Sequence, residues 1–333
     1  MEKPLVSFCI KCYNQEKLIV PALEGAFAQS YRPLEIVISD DCSTDQTVAV
    51  VRRMVEAYRT KGGDIPVTVL TNERNLGSLG NWQRICESAR GELFVKADGD
   101  DISLPERTEE VVRAWLAAGK PLVVYHEALK MDFSGRVFCR FRRAVLDNGP
   151  YGAMCAYSRR LVDAFGGVCR TNRTAYDDCV YGQRMRILGG EPLFVAKSMV
   201  KFRVGSGVSS GLRKYRKFMS SNARGGIGSC DQLALDVESC KVSLSDEARA
   251  TWRETLRTRK AHLQAYLRLL QGGTFAERRA ACRELAPTTR GLSQNLIHRL
   301  LVLGAAADPI LDALQFVKYW VDRLRFKMEG RKG

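Results

Sequence analysis

Leu93-Phe94-Val95-Lys96-Ala97-Asp98-Gly99-Asp100-Asp101 reads as a short buried strand that ends in three carboxylates around one glycine. Carboxylates that close repel one another, and a cation usually neutralises such a cluster. Mg²⁺ or Mn²⁺ held by one or two Asp, with substrate phosphates completing the shell, is the arrangement this pattern suggests. The alternative is a plain acidic turn ahead of a helix opening at Leu104-Pro105. The surrounding sequence has to decide between them.

Upstream, strand and helix patterns alternate. Apolar runs at 5–10, 34–39, 66–70 and 92–97 have strand length, and helical patterns occupy 16–29, 45–59 and 78–89. Such alternation predicts a parallel sheet covered by helices on both faces. Sheets of this kind bind ligands at the carboxyl ends of their strands. That rule places residues 11–14, 40–44 and 98–101 along one rim, which favours a site over a plain turn. Downstream the pattern is more broken, with glycines at 135, 149, 152, 166 and 167 and a helix expected near 178–188. Strands are expected at 191–196 and 200–204, then a flexible loop at 206–211. From there to the end the chain reads as helical and basic.

A chain of 333 residues can form one large domain or two ordinary ones. Its 45% hydrophobic and 27% charged content are normal for a soluble globular protein. The net charge of +15 is uneven: residues 211–333 carry 23 basic against 12 acidic side chains, a net +11, leaving +4 for the rest. The basic part is expected to face something anionic. Eleven cysteines are scattered without paired zinc spacing. An odd count without a secretory signal predicts a reducing, cytoplasmic location. The apolar run 300–307 is too short to span a bilayer.

At the second strand end, Asp45 and Thr44 suit a helix N-cap. Asp40 and Asp41 precede the cap, and a carboxylate there can accept from a base N–H or a ribose hydroxyl. No glycine-rich phosphate loop follows the first strand, which counts against a nicotinamide enzyme and a P-loop NTPase. Diphosphate would then need a metal, and residues 98–101 offer one. Tyr13 either stacks on a nucleobase or simply packs.

Val6-Ser7-Phe8-Cys9-Ile10-Lys11-Cys12-Tyr13-Asn14 resembles the opening strand of family 2 glycosyltransferases with the GT-A fold. Residues 36–47 are similar to that family's strand-Asp-Asp-x-Ser-x-Asp-x-Thr element. Asn75-Leu76-Gly77, Asn81 and Ala89-Arg90-Gly91-Glu92 resemble the run that leads into its Asp-x-Asp motif, and Asp98-Gly99-Asp100-Asp101 resembles the motif itself. The likeness continues through 152–167 and Tyr176-Asp177-Asp178, and covers about residues 4–210.

The resemblance implies an α/β fold of the GT-A (Rossmann-like) type, a mixed sheet flanked by helices over 1–212, followed by a helical basic region at 213–333. It implies a metal-dependent, inverting transfer of a sugar from a nucleotide-sugar, a UDP-sugar by expectation, to a hydroxyl of a glycan or lipid-linked saccharide. Tyr13, Asp41 and Arg74 would contact the nucleotide, Asp98 the ribose, and Asp100, with Asp98, the Mn²⁺ or Mg²⁺ on the diphosphate. Asp101 would shape the turn. Asp177 and Asp178 would be the catalytic acids, with Asp178 as base; both also suit a helix N-terminus. The chemistry is coherent, because an acceptor hydroxyl needs a carboxylate to take its proton and the leaving diphosphate needs charge stabilisation.

One departure stands out in residues 202–209. Family members often carry His where this chain has Gly205, and His126, His262 and His298 fall elsewhere. Arg203 and nearby serines would then take the diphosphate contact, or catalysis would be weakened, leaving a binding or scaffolding subunit. Lys11 likewise stands where a small hydroxyl residue or Pro is common. A nucleotidyltransferase, also built on metal and carboxylates, is the other competing reading.

Near the end, Ile310, Leu314, Val317, Val321, Leu324 and Met328 share one helix face, with Arg323, Arg325, Lys327, Arg331 and Lys332 close by. Such a helix either docks its apolar face on the protein or lies on an anionic membrane surface. The second option would put the chain on the inner face of the membrane. Residues 213–217 could instead close over the diphosphate, and no nucleic-acid-binding module is recognisable.

Overall fold

Among the described residues, the alternating apolar segments pair, in the computed structural model, into one nine-stranded mixed sheet with helices on both faces. The structure describes residues 3–141, 152–165, 167–168, 172–204, 215–288 and 292–314. The first elements follow the expected order: β1 (Val6–Cys12), α1 (Ile19–Phe27), β2 (Leu34–Asp40), α2 (Thr47–Thr60), β3 (Val67–Thr71), α3 (Gly77–Ser88) and β4 (Leu93–Asp98). Their strands form a parallel run in the order β3-β2-β1-β4.

Beyond β4 the parallel expectation is corrected. The chain continues through β5 (Ile102–Ser103), α4 (Arg107–Ala117), β6 (Val123–Met131), β7 (Val137–Phe141), β8 (Cys155–Ser158), α5 (Arg159–Asp163), α6 (Asp177–Ile187) and β9 (Leu193–Arg203). The sheet extends as β4-β8-β6-β9-β5, with β7 on β6. β8 inserts antiparallel between β4 and β6, and β5 runs antiparallel to β9, so the sheet is mixed. The two strands expected at 191–196 and 200–204 are one strand, β9. Its register on β6 shifts at His126, Glu127 and Ala128, a bulge that breaks the sequence alternation.

Alternation along the strands sends side chains to two cores. Phe8, Ile10, Val95 and Ala97 join Ile19 and Leu23 of α1, Val51 and Val55 of α2, and Trp115 of α4. Cys9 and Phe94 face the other way, onto Leu79, Trp82 and Ile85 of α3 and Val180, Tyr181 and Met185 of α6. Trp82 anchors this second core edge-on to Phe94, Tyr157 and Tyr181, with ring centroids 5.7–6.4 Å apart.

The described residues of the basic last third are helical as expected, with α7 (Tyr215–Ser239), α8 (Asp246–Gln271), α9 (Phe275–Leu285) and α10 (Leu292–Val302). A capping box of Thr274 and Glu277 starts α9. The division expected at residue 212 does not coincide with a break in the core. Cys230, Leu233 and Val237 of α7 and Leu256 of α8 belong to the same core as α3 and α6. A separate core begins only farther along α8, where Ala265, Leu269 and Leu270 meet Leu285, Leu301 and Leu311. Of the apolar stripe near the end, Ile310 and Leu314 are 51% and 45% exposed, while the neighbouring Leu311 is buried. Val317, Val321, Leu324, Met328 and the basic residues from Arg323 to Lys332 lie outside the described residues. Among the described residues no helix is long and apolar enough to cross a membrane.

Candidate active site

Sheet register brings the expected residues to one rim. Cys12 pairs with Asp40 and Lys11 with Asp98 at the carboxyl ends of β2, β1 and β4. The loops that leave these strands are tied together: Asp41 N–H donates to Cys12 O at 2.9 Å, and Gly99 N–H to Lys11 O at 2.9 Å.

On the β1–β2 side, Asp40 accepts from Ser43 N–H at 2.8 Å and from the Ser43 hydroxyl. Asn14, at φ +50°, accepts from Thr44 N–H at 2.8 Å. Asp45 accepts from Thr47 N–H at 2.9 Å, but the N-cap position of α2 is Gln46, so neither Asp45 nor Thr44 is the cap that the sequence suggested. This bracing leaves Tyr13 45% exposed beside the loops. Asp41 is buried, and its carboxylate accepts from Asn72 Nδ2, Leu76 N–H and Gly77 N–H at 3.0, 2.7 and 2.9 Å. Three of about four acceptor positions on a carboxylate are thereby used. Arg74 is exposed on the same loop, between β3 and α3.

The acidic turn is shaped by its glycine and by Arg203. A Cβ on Gly99 would overlap the ends of the Gln15 and Ile19 side chains, so glycine lets the turn pack against them. Arg203, expected to reach a diphosphate, is buried and otherwise engaged. Its Nε donates to Asp100 O at 3.0 Å, and its Nη1 donates to Asp132 O and Phe133 O at 3.0 and 2.9 Å. The Arg203 N–H donates to the Asp101 carboxylate at 2.7 Å. Arg203 therefore holds the turn in place, and Asp101 ties it to β9. Burial, with Asp100 and Asp98 nearby, pushes the Asp101 carboxyl well up. Gly205 and the serines after it lie outside the described residues.

The acid pair opens α6 and faces the turn through two lysines. Lys11 Nζ donates to Asp177 at 2.6 Å and to Ser78 Oγ at 2.7 Å, and lies 3.6 Å from Asp98. Lys96 Nζ lies 3.2 Å from Asp98 and 3.2 Å from Asp177. Two ammonium groups and two carboxylates thus alternate in a ring that joins β1, β4 and α6. Burial would raise the Asp177 carboxyl, but Lys11 and Lys96 overturn this and hold it well below its ordinary range. Asp98 is lowered by the same two lysines against its burial. Asp178 lies outside the ring, accepting from Gly152 N–H at 3.3 Å and Cys179 N–H at 2.8 Å. Burial and the Asp177 charge raise its carboxyl.

Lys11 was expected on the rim, though without a carboxylate partner; Lys96 was not expected at the site. The available signal was a lysine inside an otherwise apolar strand, Leu93-Phe94-Val95-Lys96-Ala97, since a buried ammonium needs carboxylate partners. A Cβ on Gly152 would overlap Lys96 Nζ, so this glycine makes room for it. Beneath them Arg107, almost fully buried, donates from Nη2 to Lys96 O and Ala153 O at 2.6 and 2.8 Å. It thereby fixes the end of β4 against the turn that carries Gly152. His126 pairs with Arg107 at 3.0 Å, behind the rim.

Comparison with known proteins agrees with this architecture. Residues 7–131 match the model of Glycosyl transferase family 2. Succinoglycan biosynthesis protein ExoO of Rhizobium meliloti (strain 1021) is 31% identical over 155 residues, which are 46% of this chain and 42% of the relative. The chain spans about half the length of the curated relatives it matches. Mannosyltransferase PcManGT from Pyrobaculum calidifontis, solved with GDP-Man and Mn²⁺, aligns at TM-score 0.56 and 18% identity over 97% of this chain and 88% of that one. S. aureus TarS 1-349, solved with UDP-GlcNAc, aligns at TM-score 0.51 and 16% identity, over 94% and 91% of the two chains. At these identities the solved structures speak for the fold. The family match spans β1 to β6, including the rim residues from Tyr13 to Asp101, and the fold extends the likeness through the helical region. Over residues 7–131 the N-terminal α/β part of the chain is thus similar to Glycosyl transferase family 2, on a fold of GT-A type.

Proposed function

We propose that the protein is a metal-dependent, inverting glycosyltransferase that moves a sugar from a nucleotide-sugar, a UDP-sugar by our reading, to a hydroxyl of a glycan or lipid-linked saccharide. The observation that carries this reading is the meeting of the Asp98-Gly99-Asp100 end of β4 with the Asp177-Asp178 start of α6 across Lys11 and Lys96. Support comes from the family match, from a relative named for succinoglycan biosynthesis, and from a fold shared with structures holding GDP-Man and UDP-GlcNAc.

In this reading Tyr13 stacks on the base, and the remaining acceptor position of Asp41 takes a base N–H, with Arg74 at the edge. Asp98 faces the ribose. Among the described residues no three His, Cys, Asp or Glu side chains gather around a possible ion. Hard carboxylate oxygens still fit Mn²⁺ or Mg²⁺, which take one or two Asp and complete their shell with phosphate and water. Two ammonium groups already hold Asp98, so Asp100 would be the main ligand and Asp98 the lesser one. When bound, the ion offsets charge on the departing nucleoside diphosphate. Asp178 takes the proton of the attacking hydroxyl, and its raised carboxyl makes it the stronger base of the pair. Asp177, enclosed by Lys11, Lys96 and Ser78, orients the first turn of α6.

The test is a thermal-shift screen of UDP- and GDP-sugars with and without Mn²⁺, followed by product analysis. A ligand that binds only the folded state raises the melting point. The proposal expects a Mn²⁺-dependent shift and release of nucleoside diphosphate. Pyrophosphate release from a nucleoside triphosphate would instead mark a nucleotidyltransferase, and binding without turnover a scaffold. For the basic end of the chain we propose contact with an anionic membrane surface at its cytoplasmic face, supported by the exposure of Ile310 and Leu314. Flotation with anionic liposomes should be lost on removing residues 308–333; equal flotation would refute it.

A further inference from the structure

The segment 172–176, which delivers Asp177 and Asp178 to the rim, is held between α3 on one side and α7 on the other. On the α3 side, Arg173 Nη2 donates to Asn75 Oδ1 at 3.0 Å, and a Cβ on Gly77 would overlap Arg173 O. On the α7 side the contacts are denser. Tyr176 N–H, at the N-cap of α6, donates to Ser229 Oγ at 3.2 Å, and Ser229 Oγ–H donates in turn to Gly225 O at 2.8 Å. Tyr176 OH meets Ser221 O and Oγ at 3.2 Å. Asn172 Nδ2 donates to Gly228 O at 2.5 Å.

Glycine makes these contacts possible. A Cβ on Gly225 would overlap the Tyr176 ring, and one on Gly228 would overlap the Thr174 hydroxyl. Glycine is the poorest helix former after proline, yet the 25-residue α7 carries Gly225, Gly226 and Gly228 within one stretch. Gly226 faces Leu263 of α8 in the same way. Two turns farther along, Asp236 of α7 clamps Arg184 of α6 through two bonds of 2.7 Å, both side chains being at most 1% exposed. Gln232 adds a third bond to Asp236 at 2.9 Å. The first turn of α6 and its body are therefore both fixed by α7.

We propose that α7 is a positioning element of the active site: Gly225 and Ser229, acting through Tyr176, set the place of the acid pair. The C-terminal helical region is thus part of the catalytic apparatus and not a separable attachment to it. This rests on the proposed role of Asp178. It goes beyond that role in assigning residues outside the matched family segment, 7–131, to the alignment of the base.

The experiment compares full-length wild-type protein with Gly225→Ala, Ser229→Ala, Tyr176→Ala and the Gly225→Ala/Tyr176→Ala pair. Hydrogen exchange across 172–180 is read first, then hydrolysis of whichever of UDP-GlcNAc and GDP-Man the protein turns over with Mn²⁺. Gly225→Ala should speed exchange in 172–180 by about tenfold and lower kcat about 10- to 100-fold, leaving KM for the donor within about twofold. A general loss of structure would instead raise exchange everywhere. Because the added methyl meets the Tyr176 ring, the pair should be no slower than Tyr176→Ala alone. Unchanged exchange at 172–180, unchanged kcat, or losses that simply add would each overturn the proposal. If Gly225→Ala does not fold, Ser229→Ala reads the same contact without added bulk, and wild-type exchange at the Tyr176 amide in that variant overturns it. If wild-type protein turns over no nucleotide-sugar, the proposed function fails separately, while the response of exchange still decides whether α7 holds the acid segment.

Discussion

Replacing Lys96 by Met removes an ammonium group whose side chain is 2% exposed, while keeping most of its apolar stem. The lost charge lies 3.2 Å from Asp98 and 3.2 Å from Asp177. At an effective dielectric of about 20, each such contact amounts to about 5 kcal/mol before desolvation is counted. Burying the lysine offsets much of this, and stripping one partner from a buried ion pair typically costs about 3–5 kcal/mol net. Against a domain stability of about 5–15 kcal/mol, the variant should fold but melt about 10 °C lower. The loss should depend on pH in a definite direction. In the wild type Asp98 and Asp177 are held below their ordinary range, so they stabilise the fold above about pH 4 and lose that effect as pH falls through their folded values. In the variant only Lys11 still opposes their burial, so both carboxyls rise, and protonating them at lower pH relieves part of the cost. Calorimetric unfolding of both proteins from about pH 7 to about pH 4 measures the difference. A melting point within about 2 °C of wild type near pH 7, or a gap that fails to narrow toward pH 4, would refute the reasoning.

Asp177→Asn should move the acid limb of the kcat–pH profile to lower pH, because Asp177's charge helps raise the Asp178 carboxyl while Lys11 and Lys96 lower it; an unchanged or upward-shifted limb would show that Asp177 is not what raises it. Asp236→Asn leaves the buried Arg184 guanidinium poorly matched and should cost about 3–5 kcal/mol in denaturant unfolding, whereas a loss below about 1 kcal/mol would mean the clamp between α6 and α7 is not tight.

The first half of the fold was open to a reading of periodicity, because parallel strands buried on both faces leave short apolar runs separated by helices. The rim followed, since strand ends in such a sheet share one edge, and Tyr13, Asp41, Asp98 and Asp100 were found there. The order β4-β8-β6-β9-β5 was not legible, because pairing partners far apart in sequence leave no mark on either strand. The bulge in β9 was read as a gap between two strands for the same local reason. The role of Arg203 was misplaced because a charge at a strand end says nothing about which carbonyls surround it. Lys96 was within reach of sequence reasoning; Lys11 was placed on the rim, but its carboxylate partners were not. Gly225 and Gly228 could only be understood once α7 was seen against 172–176.

The central claim is that the β4 turn and the start of α6 form one nucleotide-sugar site with Asp178 as its base. It is tested most directly by release of nucleoside diphosphate from a nucleotide-sugar donor with Mn²⁺, comparing wild type with Asp178→Asn. A misplaced or missing base typically costs 10²–10⁴ in rate, so turnover should fall at least about 100-fold while nucleoside diphosphate binding stays near wild type. Turnover of Asp178→Asn within about threefold of wild type would contradict the account.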